Sequence, residues 1–177
     1  MKLTNIAKGI ALAASLTAAG SAMAASDGSL GADSTGTSDI SLEIVDRVQI
    51  SNMKDITIPA YSGTGDLSPD TTFCVYRNGG DDYKVTLTTD TTGFQLESGG
   101  TGDAVPFTAK VDDDLDATDG EAVTDANPSS ALSGSVSVTC GGSDNASIAL
   151  NMTEADLQAA SSGNDYQSTM TVFVEPI

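Results

Sequence analysis

From residue 40 onward this 177-residue chain is built from short runs in which apolar and polar residues alternate, each ended by Gly, Asn, Asp or Pro. Period two is the spacing of a strand with one buried and one wet face, and the punctuation leaves no run long enough for an ordinary helix. Ile40-Ser41-Leu42-Glu43-Ile44 alternates, as do Val48-Gln49-Ile50 and Ile56-Thr57-Ile58. Phe73-Cys74-Val75-Tyr76 ends at Asn78-Gly79-Gly80 and is followed by Tyr83-Lys84-Val85-Thr86-Leu87-Thr88, which predicts a hairpin. Phe94-Gln95-Leu96 and the run 105–111 predict a second pair across the Gly-rich turn 98–102. Further strands are expected at 136–140, 148–152 and 170–174, with 112–130 a long polar insertion. Only residues 153–160 read as helical: Thr153 stands at a capping position, with Glu154 and Asp156 in the first turn. Many short, turn-punctuated strands imply an all-β antiparallel sandwich or barrel. With no Trp and few aromatics, its core must rest on Val, Ile and Leu.

The first residues carry a different pattern. Lys2 and Lys8 precede the apolar run 10–19, and Ala22-Met23-Ala24 follows. A basic head, a short apolar stretch and an A-x-A end define a secretory signal peptide over residues 1–24, with cleavage expected after Ala24. The run is too short to span a bilayer, and no later segment is long and apolar enough to do so, so no membrane span is expected. Residues 25–39, rich in Gly, Ser, Asp and Thr, read as a flexible leader, and 40–177 as a single β-sandwich domain. The expected location is outside the inner membrane: periplasm, cell surface or medium.

Loss of Lys2 and Lys8 leaves five basic residues against 25 acidic ones, a net charge of −20. Such a surface repels nucleic acid and anionic lipid, so no nucleic-acid partner is expected. Export also places Cys74 and Cys140 where disulfides persist, and their even number makes them the natural pair, two buried free thiols being the alternative. A zinc site is disfavoured because two thiolates without His do not complete its shell.

The absence of His removes the usual general base, and neither a nucleophile elbow nor a phosphate loop is present. Carboxylates abound, but the aromatics that line a glycosidase cleft are few, so no enzyme activity is expected. The densest polar cluster is 112–121. Its Asp112, Asp114, Asp116 and Asp119 form a candidate oxygen-rich calcium loop, although the spacing is not that of an EF-hand. The bland alternative is a solvated acidic loop held open by its own repulsion. No other cofactor is expected. Two matches to the N-glycosylation pattern, at Asn145 and Asn151, are read as chance in a bacterial exported chain.

Three segments together resemble a known family: the strand 83–87; the pair 94–96 and 105–107 around a Gly-rich turn; and the ending from Leu157 through Asp165-Tyr166-Gln167 to Met170-Thr171-Val172-Phe173-Val174-Glu175-Pro176. Over 73–177 the chain is similar to chaperone–usher pilin subunits, and more specifically to the spore-coat-protein-U-like secreted domains of proteobacteria. The resemblance implies an immunoglobulin-like sandwich lacking one strand. A periplasmic chaperone, and then a like subunit's N-terminal extension, would complete it. The edge offered to that strand would be the last one, with Thr169, Thr171, Val172, Phe173 and Val174. A donor should be an alternating apolar segment near the mature N-terminus. Residues 26–38 offer only Leu30, and Ile40 to Ile50 reads more simply as the domain's own first strand. The expected function is therefore an exported structural or adhesive surface protein, pilin-like in assembly. The alternative is a secreted, calcium-dependent binding module whose sandwich is complete.

Overall fold

The computed structural model describes residues 25–80, 82–99 and 102–177, so the signal pattern at 1–24 lies outside the described residues. The chain divides into two units, Met1–Ile44 and Val45–Ile177. In the first, the described residues 25–44 are solvent-exposed throughout. Their one regular feature is a two-way backbone bridge between Ser26 and Thr37, at 3.0 and 2.9 Å.

In the second unit the strands follow one another as β1 (Val48–Ser51), β2 (Asp70–Arg77), β3 (Asp82–Thr89), β4 (Gln95–Ser98), β5 (Ala104–Pro106), β6 (Thr108–Asp112), β7 (Glu121–Val123), β8 (Leu132–Ser133), β9 (Ala146–Asn151), β10 (Tyr166–Gln167) and β11 (Met170–Pro176), with a helix α1 (Glu154–Ala159) between β9 and β10. One sheet has the order β1-β2-β9-β6-β7, and two smaller sheets have the orders β11-β3-β8 and β10-β4-β5. Every strand ladder is antiparallel. Phe73, Val75, Ala109, Val111, Ile148 and Leu150 of the large sheet pack with Tyr83, Val85, Leu87, Val105 and Leu132 of the smaller ones into one cluster. The chain is thus an immunoglobulin-like antiparallel sandwich with one short helix and a disulfide. Each fully buried Val, Leu, Ile or Phe in that core stabilises it by about 1.5–3 kcal/mol. The alternation seen in the sequence is the cause: β3 reads buried at Tyr83, Val85 and Leu87, with half-exposed residues between them.

Several expectations are corrected. Ile40 to Ile44 form no strand and stand outside the folded unit; the first strand is β1. The strands flanking Asn78-Gly79-Gly80 are not a hairpin, since β2 pairs with β1 and β9 whereas β3 pairs with β11 and β8. Gly79 and Gly80, at φ 88° and 72°, arch the chain from one layer to the other. The arch lets Val75 and Val85 face one core instead of lying side by side. The run 105–111 breaks into β5 and β6 in different sheets. Pro106, without an N–H, ends β5. Phe107 then turns inward, donates its N–H to the Phe94 carbonyl at 2.9 Å, and stacks on the Phe94 ring with centroids 5.4 Å apart. Finally, 136–140 is no strand: Val136 and Val138 are exposed, and Cys140 sits at φ 49°. The insertion 112–130 is not wholly polar loop either, because it contains β7 and buries Ala117 and Val123. The short helix is as expected, with the Thr153 hydroxyl accepting from the Asp156 N–H.

Candidate functional site

The last strand, β11, stands at the edge of its sheet. It is paired along seven residues with β3, from Met170 opposite Thr89 to Pro176 opposite Tyr83; among the described residues no strand is hydrogen-bonded to its other edge, although β1 approaches β11 to within 8 Å between Cα atoms. Val172 and Val174 turn toward the core, whereas Thr171 and Phe173 face solvent. Thr169 precedes the strand and is held by Asp90, whose carboxylate accepts from the Thr169 N–H at 2.8 Å and the Ser168 hydroxyl at 2.9 Å. These bonds hold the Asp90 carboxyl below its ordinary pKa.

Beside the start of β11 lies a mainly apolar trough of about 360 Å³, to which Lys54, Asp55, Ser168 and Thr169 also contribute. Leu96, Phe107, Leu150 and Met170 line it, and Ile56 and Ile58 bound it from the connection between β1 and β2. Residues 52–66 of that connection join no ladder, and Leu67 bridges to Met152 near its end. Its two isoleucines are half-buried against the core, so the period-two signal at 56–58 marks packing rather than pairing. A second hollow of about 680 Å³ shares Ile58 and Leu96 and continues toward Leu157 and Tyr166. The upstream end of the connection is pinned. Asn52, at φ 60°, turns the chain out of β1. Its side-chain amide then donates to Asp144 at 2.5 Å. Asp144 also accepts from Lys54 at 2.7 Å and from the Thr72 hydroxyl at 2.6 Å. Led by the Lys54 bond, these contacts bring the Asp144 carboxyl down to about 2.

At the far end of β11, Arg77 is 3 % exposed and gathers several acceptors. Its guanidinium donates to Asp46 at 2.9 Å, to the Asn78 side chain at 3.0 Å and to the Ile177 carbonyl at 3.3 Å. Sequence reasoning missed this buried arginine; its only signal was a cation directly after the β-rich run 73–76.

Cys74 and Cys140 are joined as expected, with Cα atoms 5.9 Å apart. The bond ties β2 to the connection 134–145, which also carries the Asp144 cluster.

The acidic loop between β6 and β7 brings together three of the four expected ligands. Asp112, Asp114 and Asp119 each place a carboxylate oxygen within 4.8 Å of the others. Asp116 lies outside this group; its carboxylate accepts from the Thr118 N–H and hydroxyl, while Asp114, which accepts from the Asp116 N–H at 2.7 Å, stays within it. The same bonds lower its pKa. Desolvation, with Asp114 and Asp113 nearby, raises that of Asp112. Among the described residues the ion pairs are Lys54–Asp144 and Arg77–Asp46, and neither involves this loop. No described helix is long and apolar enough to cross a membrane.

No protein-family model matches the chain, and no curated protein is significantly similar to it. The site is therefore read from its own geometry.

Proposed function

We propose that this chain is an exported structural subunit of the cell surface that joins its neighbours by strand complementation at β11. One observation carries the reading: among the described residues β11 has no ladder partner on its outer edge and a mainly apolar trough lies at its start, while Ile40, Leu42 and Ile44 of the same chain stand 96, 84 and 75 % exposed. An apolar edge left unpaired invites another strand. An alternating segment fits such an edge, because its main chain completes the ladder while every second side chain enters the trough. The donor is Ile40-Ser41-Leu42-Glu43-Ile44 of a second copy. A chaperone's strand occupies the same edge before assembly, and the signal pattern at 1–24 supplies the route of export.

The energetics are closely balanced. Burying three such side chains stabilises the joint by about 5–9 kcal/mol. Ordering five residues costs about 5–10 kcal/mol. Main-chain bonds to β11 must therefore decide the outcome, which makes each joint modest and concentration-dependent.

The test is sedimentation and electron microscopy of the exported chain. Concentrated wild type forms multimers, and a peptide spanning 38–47 competes them apart. Leu42→Asp abolishes them with an unchanged melting temperature, because residue 42 lies outside the folded unit. Wild type that stays monomeric at every concentration and ignores the peptide would sink the reading.

A further inference from the structure

The acidic loop and the sheet beneath it suggest a second site, independent of strand exchange. Residues 112–120 leave β6 and fold back across the outer face of the large sheet, as the Lys110 ammonium donating to the Thr118 carbonyl at 2.6 Å attests. The return is tight. At Gly120 a Cβ would sit 2.5 Å from the Val111 carbonyl oxygen and 3.0 Å from an Asp112 carboxylate oxygen, so no side chain fits there. The fold-back brings Asp119 to Asp112 and Asp114, three like charges within 4.8 Å of one another. The nearby Lys110 is turned to a carbonyl, and Asp113 is engaged elsewhere, accepting from the Ser133 N–H at 2.7 Å.

Carboxylates crowd together on many acidic surfaces, and crowding alone means little. The sheet adds an independent observation. Ser147 of β9 stands directly opposite Asp112 in the ladder, so the two side chains project from the same face with Cβ atoms about 4.5–5.5 Å apart. Ser147 is 0 % exposed, yet its hydroxyl has no hydrogen-bond partner. Leaving a buried hydroxyl unpaired is costly, so such a group calls for an explanation. In the ladder it stands between Thr72 and Asp112, and its place beside Asp112 supplies one: a fourth oxygen for the carboxylate group.

We infer that Asp112, Asp114 and Asp119, over the Ser147 hydroxyl, bind a hard divalent cation of the calcium class. All four offer oxygen, the donor such ions prefer, and water completes the shell on the exposed side. With three carboxylates on a surface loop, the affinity belongs with extracellular calcium modules, about 10⁻⁴–10⁻³ M. The ion would relieve the mutual repulsion and fasten the loop to the sheet. The candidate set is sharper than the sequence pattern, since Asp116 leaves it and Ser147 enters.

The experiment is a melting curve of the full exported chain in calcium chloride, in magnesium chloride, and in sodium chloride of equal ionic strength. Calcium at ten times its dissociation constant raises the midpoint by about 3–5 °C over the sodium control. Asp114→Asn/Asp119→Asn abolishes that specific rise. Without calcium this variant melts at or above wild type, since it carries less repulsion, so misfolding is not confused with loss of the site. Ser147→Ala weakens the apparent affinity at least threefold. Terbium, excited through tyrosine because the chain has no Trp, gives a direct binding signal displaced by calcium. A calcium shift no larger than that of sodium, an unchanged shift in the double variant, or an unchanged affinity in Ser147→Ala overturns the assignment. The Leu42→Asp chain gives the same result as wild type, so the failure of one proposal does not disguise the failure of the other.

Discussion

At the scale of single residues, one half-buried and one buried polar group are treated in opposite ways. Asp144 is 10 % exposed at its side chain and fully used, taking hydrogen bonds from Lys54, Thr72 and Asn52. Its pKa falls from 3.8 to about 2. A depressed folded-state pKa gives stability that is present above the unfolded value and lost as pH falls through the folded one. Acid unfolding should therefore steepen between about pH 4 and pH 2. Asp144→Ala should cost about 1–3 kcal/mol at neutral pH and flatten that limb, as denaturant curves at pH 7 and pH 3 would reveal. Tyr83 is the reverse. Its ring fills the core at 0 % exposure, but its hydroxyl has no partner. Burial, aided by the charges of Asp113 and Asp112, pushes its pKa far up, so it stays a neutral phenol. Tyr83→Phe removes only the orphaned oxygen and should raise stability by about 1 kcal/mol. A loss of more than 1 kcal/mol would mean that the hydroxyl has a partner after all.

At the scale of elements, the connection from β8 to β9 shows how little propensity decides by itself. Residues 136–140 have the composition of a strand, yet they lie along the surface, fixed at one end by the backbone pairing of Ser135 with β2 and at the other by Cys74–Cys140. The bond closes a loop with a sequence separation of 66, which in the chain-entropy model stabilises the fold by about 4 kcal/mol. Reduction should lower stability by roughly that amount. It should also speed hydrogen exchange in 135–143 before it affects β3 and β11, because those strands are held by the core and not by the clasp. Uniform loosening of both regions would show that the clasp acts globally.

The whole molecule combines a free edge with a strongly acidic surface. After the signal pattern the charge is −20, which keeps copies apart in dilute salt. Complementation at β11 should therefore strengthen as ionic strength rises toward physiological values, where repulsion is screened beyond about 8 Å. Multimers that dissolve on adding salt would point to an ionic joint instead. Arg77 bears on this scale too, because it ties the entry to β1 through Asp46 to the Ile177 carbonyl at the end of β11. It thereby holds one end of the edge while the trough beside Thr169 and Met170 lies at the other.

Much of this architecture was legible in the chain itself. Alternation at 48–50, 83–88, 148–152 and 170–174 marked real strands, because a period of two has one physical meaning when one face is buried. The cysteine pair and the Thr153 cap were equally local matters. What the sequence could not reveal was which strands share a sheet. A glycine turn serves a hairpin and a crossing between layers equally well, and only the need of Val75 and Val85 for a common core chose the crossing. Alternation at 40–44 and at 56–58 was also ambiguous, since it marks a segment able to lie on a sheet without saying whose sheet. The tertiary structure left Ile40, Leu42 and Ile44 in solvent and set Ile56 and Ile58 against the trough. Ser147 was invisible as a candidate ligand for the same reason: its place opposite Asp112 exists only once β6 and β9, far apart in sequence, lie side by side.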